Sequence, residues 1–340
     1  TYQLGTGGNC ETPDLNEFNE SNMRERNLTL ENYLDYLRKN PFQGSPNNLY
    51  DPMNYIMNLG GKRVRPVLCL IGAESCGGYT VDAMPVAHAI EIFHNFSLVH
   101  DDIMDRADQR RGLATVHKKW NEPTAILAGD NLLVKAYESI LAYGGPNKDA
   151  ILTLFSRTAT EVCEGQQDDM DFAERNEVSE ADYLHMIQNK TAVLLGCSLA
   201  AGALTADASK DMVEKLYQFA IAVGMSFQLM DDYLDAFGTS NKVGKVIGGD
   251  IMEGKKTWLY IKSLEHDATT TNQWFGELEG QNRADAVIEG WKTWGLDIKI
   301  LDKSAEYGKA AKAIIQELAD IGVETQGLQN LLDYLQDRTH

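Results

Sequence analysis

Only eight prolines interrupt the 340 residues, so long stretches run without a helix breaker. Within them apolar residues return every three or four positions, the period of one helix face. Residues 79–105 place Val86, Ile90, Phe93, Ser97 and His100 in this way. Segments 122–143, 148–172, 180–205 and 207–237 follow the same rule, and 283–294 and 303–335 follow it more weakly. Strand-like alternation never holds for more than a few residues. The pattern predicts an all-α fold of ten or more helices. A first helix is expected over about Thr29–Lys39, capped by Thr29. The Pro- and Asn-rich run Asn40–Pro52 reads as a loop, and Gly238–Gly254 as a second one. Neither divides the chain into halves of different composition, and no solenoid repeat is present. A single helical domain is expected over 28–340, behind an amino-terminal segment 1–27 of no assigned structure.

Composition narrows the function. With 43% hydrophobic and 24% charged residues the chain is ordinary globular material. Its 31 basic against 50 acidic residues give a formal charge of −19, which disfavours nucleic acid and anionic lipid as general partners. The five cysteines, Cys10, Cys69, Cys76, Cys163 and Cys197, contain no Cys-x-x-Cys pair. They suggest neither a disulfide scaffold nor a zinc site, and a reduced, cytoplasmic setting fits best. Thr1–Asn27 lacks the apolar core of a targeting signal. Thr191–Ala206 is uncharged but too short, and too rich in Gly, Ala and Ser, for a membrane span.

The chemistry is concentrated in two acidic clusters. His100-Asp101-Asp102-Ile103-Met104-Asp105 closes one helical segment, with Arg110-Arg111-Gly112 just beyond it. On a helix, Asp101 and Asp105 share a face one turn apart, with Asp102 beside them. Carboxylates this close repel one another unless a cation or proton intervenes. Oxygen ligands at this spacing suit Mg²⁺, which takes one or two carboxylates together with substrate phosphates. Phe227-Gln228-Leu229-Met230-Asp231-Asp232-Tyr233-Leu234-Asp235 repeats the spacing within another apolar helical pattern. Aspartates embedded in apolar helices are costly to bury unless paired or metal-bound. Together the clusters imply Mg²⁺ ions around a diphosphate.

Basic residues occur where a polyanion would need them. Gly60-Gly61-Lys62-Arg63-Val64-Arg65-Pro66 gathers three cations after a diglycine, and Lys190-Thr191 opens an apolar segment. Lys245, Lys255 and Lys256 punctuate the glycine-rich run 244–257. Arginine forks recognise phosphate bidentately and lysine adds point charge. Neither a Walker-type phosphate loop nor a Ser/His/Asp or Cys/His arrangement announces itself. His94 and His100, six residues apart, do not form a joint metal site on one helix face.

This ordered set resembles the trans-isoprenyl diphosphate synthases, or polyprenyl synthetases, from about Leu30 to the end. The elements are Gly-Gly-Lys-Arg-x-Arg-Pro, His-Asp-Asp-x-x-Asp with Arg-Arg-Gly, Gly165-Gln166 with Asp169, Lys190-Thr191, Phe-Gln-x-x-Asp-Asp-x-x-Asp and Gly-Lys…Gly-Lys-Lys-Thr. The resemblance implies a helical bundle around a deep central cavity, a homodimer, and two aspartate motifs facing each other at the cavity mouth. It implies that Asp101, Asp102, Asp105, Asp231, Asp232 and Asp235 bind Mg²⁺, three ions per active site. Arg110, Lys190, Thr191, Phe227, Gln228, Lys245 and Lys255 would hold the allylic diphosphate (dimethylallyl, geranyl or farnesyl). Lys62, Arg65, His94 and Arg111 would hold isopentenyl diphosphate, while Gln166 and Asp169 line the reaction site. The implied reaction is head-to-tail prenyl transfer in isoprenoid biosynthesis, in which an allylic cation forms and is attacked by the isopentenyl double bond.

Three rival readings are weighed. A class I terpene cyclase would carry an Asn/Ser/Glu metal motif in place of the second aspartate cluster. A non-catalytic regulatory subunit would lose aspartates from one motif, and a squalene-synthase-like head-to-head condensation would need different motifs. Product length is expected to depend on bulky residues upstream of Asp101. Phe96 lies about 7.5 Å and Phe93 about 12 Å along the helix from Asp101, while Ser97, four residues before Asp101, is small. Spacing leaves open which ring is the floor. Two rings at these depths argue for a C15–C20 product.

Overall fold

The computed structural model describes residues 29–238 and 247–336. First come α1 (29–39), α2 (Asn47–Asn58), α3 (Val64–Ser75) and α4 (Thr80–Met104). A small antiparallel hairpin follows, β1 (Gln109–Arg110) and β2 (Leu113–Ala114). The middle of the chain forms α5 (Val116–Lys119), α6 (Glu122–Ala142), α7 (Lys148–Glu174) and α8 (Glu180–Ile187). After a π-helical turn (Gln188–Ala192) come α9 (Val193–Thr205) and α10 (Lys210–Phe237). Last are α11 (Gly249–Glu253), α12 (Trp258–Glu277), α13 (Gly280–Thr293), α14 (Leu296–Asp320) and α15 (Gln326–Gln336).

Local chemistry sets several helix starts. Asn121 caps α6 through Thr124 N, with Pro123 in the first turn, and Ser209 caps α10 through Met212 N. Ser179 and Asp182 form a reciprocal capping box on α8. α9 is buried on every side, as expected of a helix without a polar face. It packs against α3, α4, α7 and α10, while α4 runs along α6 and α10 along α14.

The closest approach is between α3 and α9. A Cβ on Gly202 would sit 1.8 Å from the Cys69 carbonyl oxygen, and one on Gly72 would sit 2.1 Å from that of Leu199. Both glycines permit backbone-to-backbone contact that no side chain allows. Gly202→Ala is expected to destabilise the fold by about 2–3 kcal/mol through overpacking, read as a lower urea midpoint with an unchanged slope.

The structure redraws three sequence boundaries. The loop expected over Asn40–Pro52 ends at Pro46, and α2 includes Pro52, which is buried with Met53, Ile56 and Met57. The continuous helix expected over 180–205 is divided by the π turn, against which Gly165 of α7 packs. A Cβ there would lie 2.3 Å from Lys190 N. The pattern over 303–335 breaks at Gly322, whose left-handed φ of 86° and Val323 N–H to Leu318 carbonyl bond make a helix stop.

One buried ion pair fixes the loop before α3. Arg63 Nη1 lies 2.6 Å from Glu91 Oε1 of α4, and each side chain is 3% exposed. Arg63 also donates to the Met57 carbonyl, and Asn95 Nδ2 donates to Glu91 O at 2.8 Å. The pair ties the Gly60–Pro66 loop to the middle of α4 while Arg63 holds a left-handed φ of 49°. Removing one charge strands the other. Glu91→Gln is therefore expected to cost on the order of 3 kcal/mol, measured by denaturant unfolding.

Candidate active site

α4 is mostly buried along its length and ends in Asp101 and Asp102, with Asp105 as its cap and no basic residue in its last turn. Carboxylates there meet the negative end of the helix dipole. Asp102 is 2% exposed and is gripped by Arg110. Arg110 Nε donates to both carboxylate oxygens at 3.0 and 2.9 Å, and Nη2 to Oδ1 at 2.7 Å. The β1–β2 hairpin turns through Arg111 (φ 54°) and Gly112 (φ 76°), which brings Arg110 back onto α4. Asp101 is half-buried, and burial pushes its carboxyl up to about 6. Asp105 and Asp102 add to that shift, and Lys190 and Arg110 oppose it. Asp105 is exposed.

α10 ends in the same way. Asp231, Asp232 and Asp235 occupy its last two turns, with the half-buried Phe227 and Gln228 one turn earlier. Asp232 Oδ2 accepts a short hydrogen bond from the Tyr183 hydroxyl of α8. Burial drives the Asp232 carboxyl well above its usual range, and Asp250, Asp231 and Asp235 reinforce the shift. Asp235 Oδ2 accepts from Asp250 N at 3.1 Å, and Lys255 Nζ reaches Asp250 Oδ1 at 2.7 Å. Lys255 is exposed and also pairs with Glu253. Lys256 instead donates to the Phe172 carbonyl at the end of α7. Lys245 lies outside the described residues, as does segment 1–27.

The π turn joins the two helix ends. It carries Lys190, whose Nζ is 2.6 Å from Asp169 Oδ2 of α7, and the half-buried Thr191. The Lys190 charge acts on Asp101, while Asp169, Asp232 and Asp250 all act on Tyr183. Lys190 is thus paired with α7 at Asp169, and Tyr183 with α10 at Asp232. π turns occur most often at functional positions. Gln166, 8% exposed, points its amide nitrogen at Met104 Sδ, and its buried Oε1 has no partner.

A second charged group stands beside the first. Arg65 Nη1 lies 3.1 Å from His94 Nε2. Since the guanidinium can only donate, Nε2 accepts and the imidazole proton belongs on Nδ1. His94 is pushed well below its usual pKa by burial and then by Arg65, Arg111, Arg110 and Arg63, so it is neutral. Arg111 lies over Gly61 and donates to the Gly60 carbonyl. The exposed Lys62 follows directly in the same loop. Such a gathering of cations around one neutral imidazole has the chemistry that suits an anion.

Upstream of the first motif, Phe93 is 1% exposed. It packs on Phe96 at 5.4 Å and edge-on to Phe155 of α7 at 5.3 Å. Phe155 in turn meets Tyr137 of α6 at 5.1 Å. Phe96 is half-buried and leans on His100, and Ser97 Oγ donates to the His94 carbonyl. Sequence reasoning missed Phe155, Tyr137, Tyr183, Asp250 and Glu91. Only Asp250 carried a signal, since it stands in the glycine- and lysine-rich run already singled out.

Among the described residues, no group of three His, Cys, Asp or Glu side chains is placed to hold a metal ion. The donors at both helix ends are nevertheless all carboxylate oxygen. That chemistry fits Mg²⁺, which is held by few protein groups and completes its shell with water and phosphate.

A family model described as polyprenyl synthetase matches residues 46–289. The geranylgeranyl diphosphate synthase of Methanosarcina mazei is 37% identical over 297 residues, covering 87% of this chain and 91% of that protein. A short chain isoprenyl diphosphate synthase of Methanothermobacter thermautotrophicus is 35% identical over 301 residues, covering 87% and 92% respectively. A crystal structure of a geranylgeranyl pyrophosphate synthase aligns with a TM-score of 0.85 at 43% identity, over 92% of this chain and 98% of that one. Two aspartate-tipped helices and a lysine-bearing π turn, together with these likenesses, place the chain in the polyprenyl synthetase family.

Proposed function

We propose that this chain is a Mg²⁺-dependent prenyltransferase that joins an allylic diphosphate head-to-tail with isopentenyl diphosphate, giving an all-trans C15–C20 diphosphate. The observation that carries the reading is the pairing of two half-sites. One is the carboxylate-rich ends of α4 and α10 with Lys190, whose charge acts on Asp101, and the other is the cation cluster of Arg65, Arg111 and His94. Two anionic substrates need two such sites, and only one of them needs carboxylates. A class I cyclase has no use for the second.

Asp101, Asp105, Asp231 and Asp235 are the oxygen donors for Mg²⁺, three ions per active site. When bound, Mg²⁺ neutralises the allylic diphosphate and makes it a better leaving group. Asp102 and Asp232 support the site from within, since Arg110 and Tyr183 engage them. Arg110, Lys190, Thr191, Gln228, Lys245 and Lys255 hold the allylic diphosphate, with Arg110 oriented by Asp102 and Lys190 by Asp169. Lys62, Arg65, Arg111 and the Nδ1–H of His94 hold isopentenyl diphosphate. Cleavage of the allylic C–O bond leaves a delocalised cation, the isopentenyl double bond attacks it, and the released diphosphate takes the proton. Gln166 lines the reacting region, and the apolar walls of α4 keep water from the cation.

Residues 28–340 act as one domain, and the protein works as a homodimer in the cytoplasm. The exposed Leu127, Val134 and Leu141 of α6, spaced seven apart on one face, support a helix-to-helix contact with a second copy. None of the helices among the described residues is long and apolar enough to cross a membrane.

Asp101→Ala and Asp231→Ala should each lower turnover by orders of magnitude with a preserved helical circular-dichroism signal, because removing one of several like charges relieves repulsion. Near-normal turnover in either variant, or full activity in excess chelator, counts against the reading.

Product length follows from the phenylalanines. A ring that stops a growing tail must keep some surface in the ligand-free protein. Phe96 does, while Phe93 is sealed behind it by Phe155. Phe96→Ala is therefore expected to lengthen the product by at least one five-carbon unit, and Phe93→Ala to lengthen it less. Chromatography of the dephosphorylated products decides this, and an unchanged distribution in both variants and the double places the floor elsewhere.

A further inference from the structure

The two aspartate motifs share a feature that their spacing does not reveal. In each, the second aspartate is held by a donor from another element: Asp102 by Arg110 and Asp232 by Tyr183. The first pair is an ion pair between a buried carboxylate and a half-buried arginine. The second is a neutral phenol from α8, 3% exposed, meeting a carboxylate surrounded by Asp231, Asp235 and Asp250. Other contacts fix α8 in place. Glu180 accepts from Trp258 Nε1 at 2.9 Å and pairs with Lys262 at 2.6 Å, both on α12, and the capping box closes its first turn. The phenol is thus presented from a braced helix. Seven residues later the same stretch of chain carries Lys190.

We infer that Tyr183 is a positioning residue for this active site: its hydroxyl fixes Asp232, and through it the carboxylates of α10, in register with the Lys190 turn. The inference rests on the reading of these motifs as a Mg²⁺–diphosphate site. A carboxylate among three others has no reason to keep one rotamer unless a donor selects it. Tyr183 is the described donor that does so, and its proximity to Asp169 ties that choice to the lysine on the other side. Without the hydroxyl, Asp232 is left buried without that donor and turns to compete for the cation. The outer aspartates then lose their common geometry.

The test uses the full-length protein and does not depend on turnover. Mn²⁺ is titrated in the presence of inorganic diphosphate, and free Mn²⁺ is read by electron paramagnetic resonance. Tyr183→Phe should bind Mn²⁺ about tenfold more weakly, the size usual for loss of a partner behind a metal ligand. In an Asp232→Ala background the same substitution should change affinity less than about twofold, because the hydroxyl acts through Asp232. Affinity in Tyr183→Phe within twofold of the unaltered protein overturns the inference, and so does an undiminished effect in the Asp232→Ala background. If Tyr183→Phe does not fold, the double variant, which no longer strands a buried carboxylate, should recover the fold. A double variant that also fails makes Tyr183 a packing residue and overturns the inference. If the unaltered protein shows no diphosphate-dependent Mn²⁺ binding, the reading of the site itself falls.

Discussion

Crowding carboxylates at the carboxyl-terminal ends of two helices is the constraint to which the rest of this structure answers. Asp101, Asp102 and Asp105 close α4, and Asp231, Asp232 and Asp235 close α10, with no basic residue in either last turn. Each cluster opposes a negative helix end, its own like charges, and a protein whose net charge is −19. The fold meets this by importing donors from other elements. The β1–β2 hairpin brings Arg110 to Asp102, the π turn aims Lys190 between Asp169 and Asp101, and α8 offers Tyr183 to Asp232. Short, otherwise unexplained features of the backbone thus share one electrostatic purpose. Burial adds its own cost at the first motif, pushing Asp101 up to about 6 against the pull of Lys190.

Much of this was legible in the sequence because it depends on period and spacing. α4, α6, α7 and α10 fall within a few residues of the expected segments, since long amphipathic runs with Ser or Asn at their starts leave little freedom. The aspartate motifs and Lys190-Thr191 were visible because each is a compact string at helical spacing, and the structure sets Asp231 and Asp232 at the end of α10 and Lys190 on the π turn. Other features did not read because they arise from contacts between distant segments. The π turn exists where α7 presses Gly165 against Lys190, and nothing within 180–205 announces it. Tyr183 is an apolar-face residue by period, and only the arrival of Asp232 makes its hydroxyl matter. The Asp102–Arg110 pairing likewise depends on the β1–β2 hairpin folding back onto α4, which spacing along the chain does not show.

The Lys62-Arg63-Val64-Arg65 run shows how one string of cations divides its work. Arg63 turns inward at a left-handed φ and is consumed by Glu91, a buried pair whose removal of both charges from water gives it structural rather than binding value. Arg65 reaches His94, and Lys62 stays exposed. The diglycine before them supplies the approach, since Arg111 lies directly over Gly61 where a Cβ would collide with its guanidinium. The cation cluster around His94 is thus held in place by an arginine that is itself engaged by a buried carboxylate.

The apolar interior and the charged rim therefore make opposite contributions. α9, buried on all sides and interlocked with α3 through Gly72 and Gly202, gives a close-packed frame with little room to deform. The aspartate-tipped ends of α4 and α10 are the places where the same helices hold unfavourable charge. A frame this tightly packed can carry that strain without spreading the helix ends apart. On such a frame the charge is moderated by donors brought from other elements, Arg110 on Asp102, Lys190 on Asp169 and Tyr183 on Asp232, rather than by movement of the backbone. Charges and donors fixed in advance in this way are what electrostatic preorganisation asks of a site that handles a leaving diphosphate.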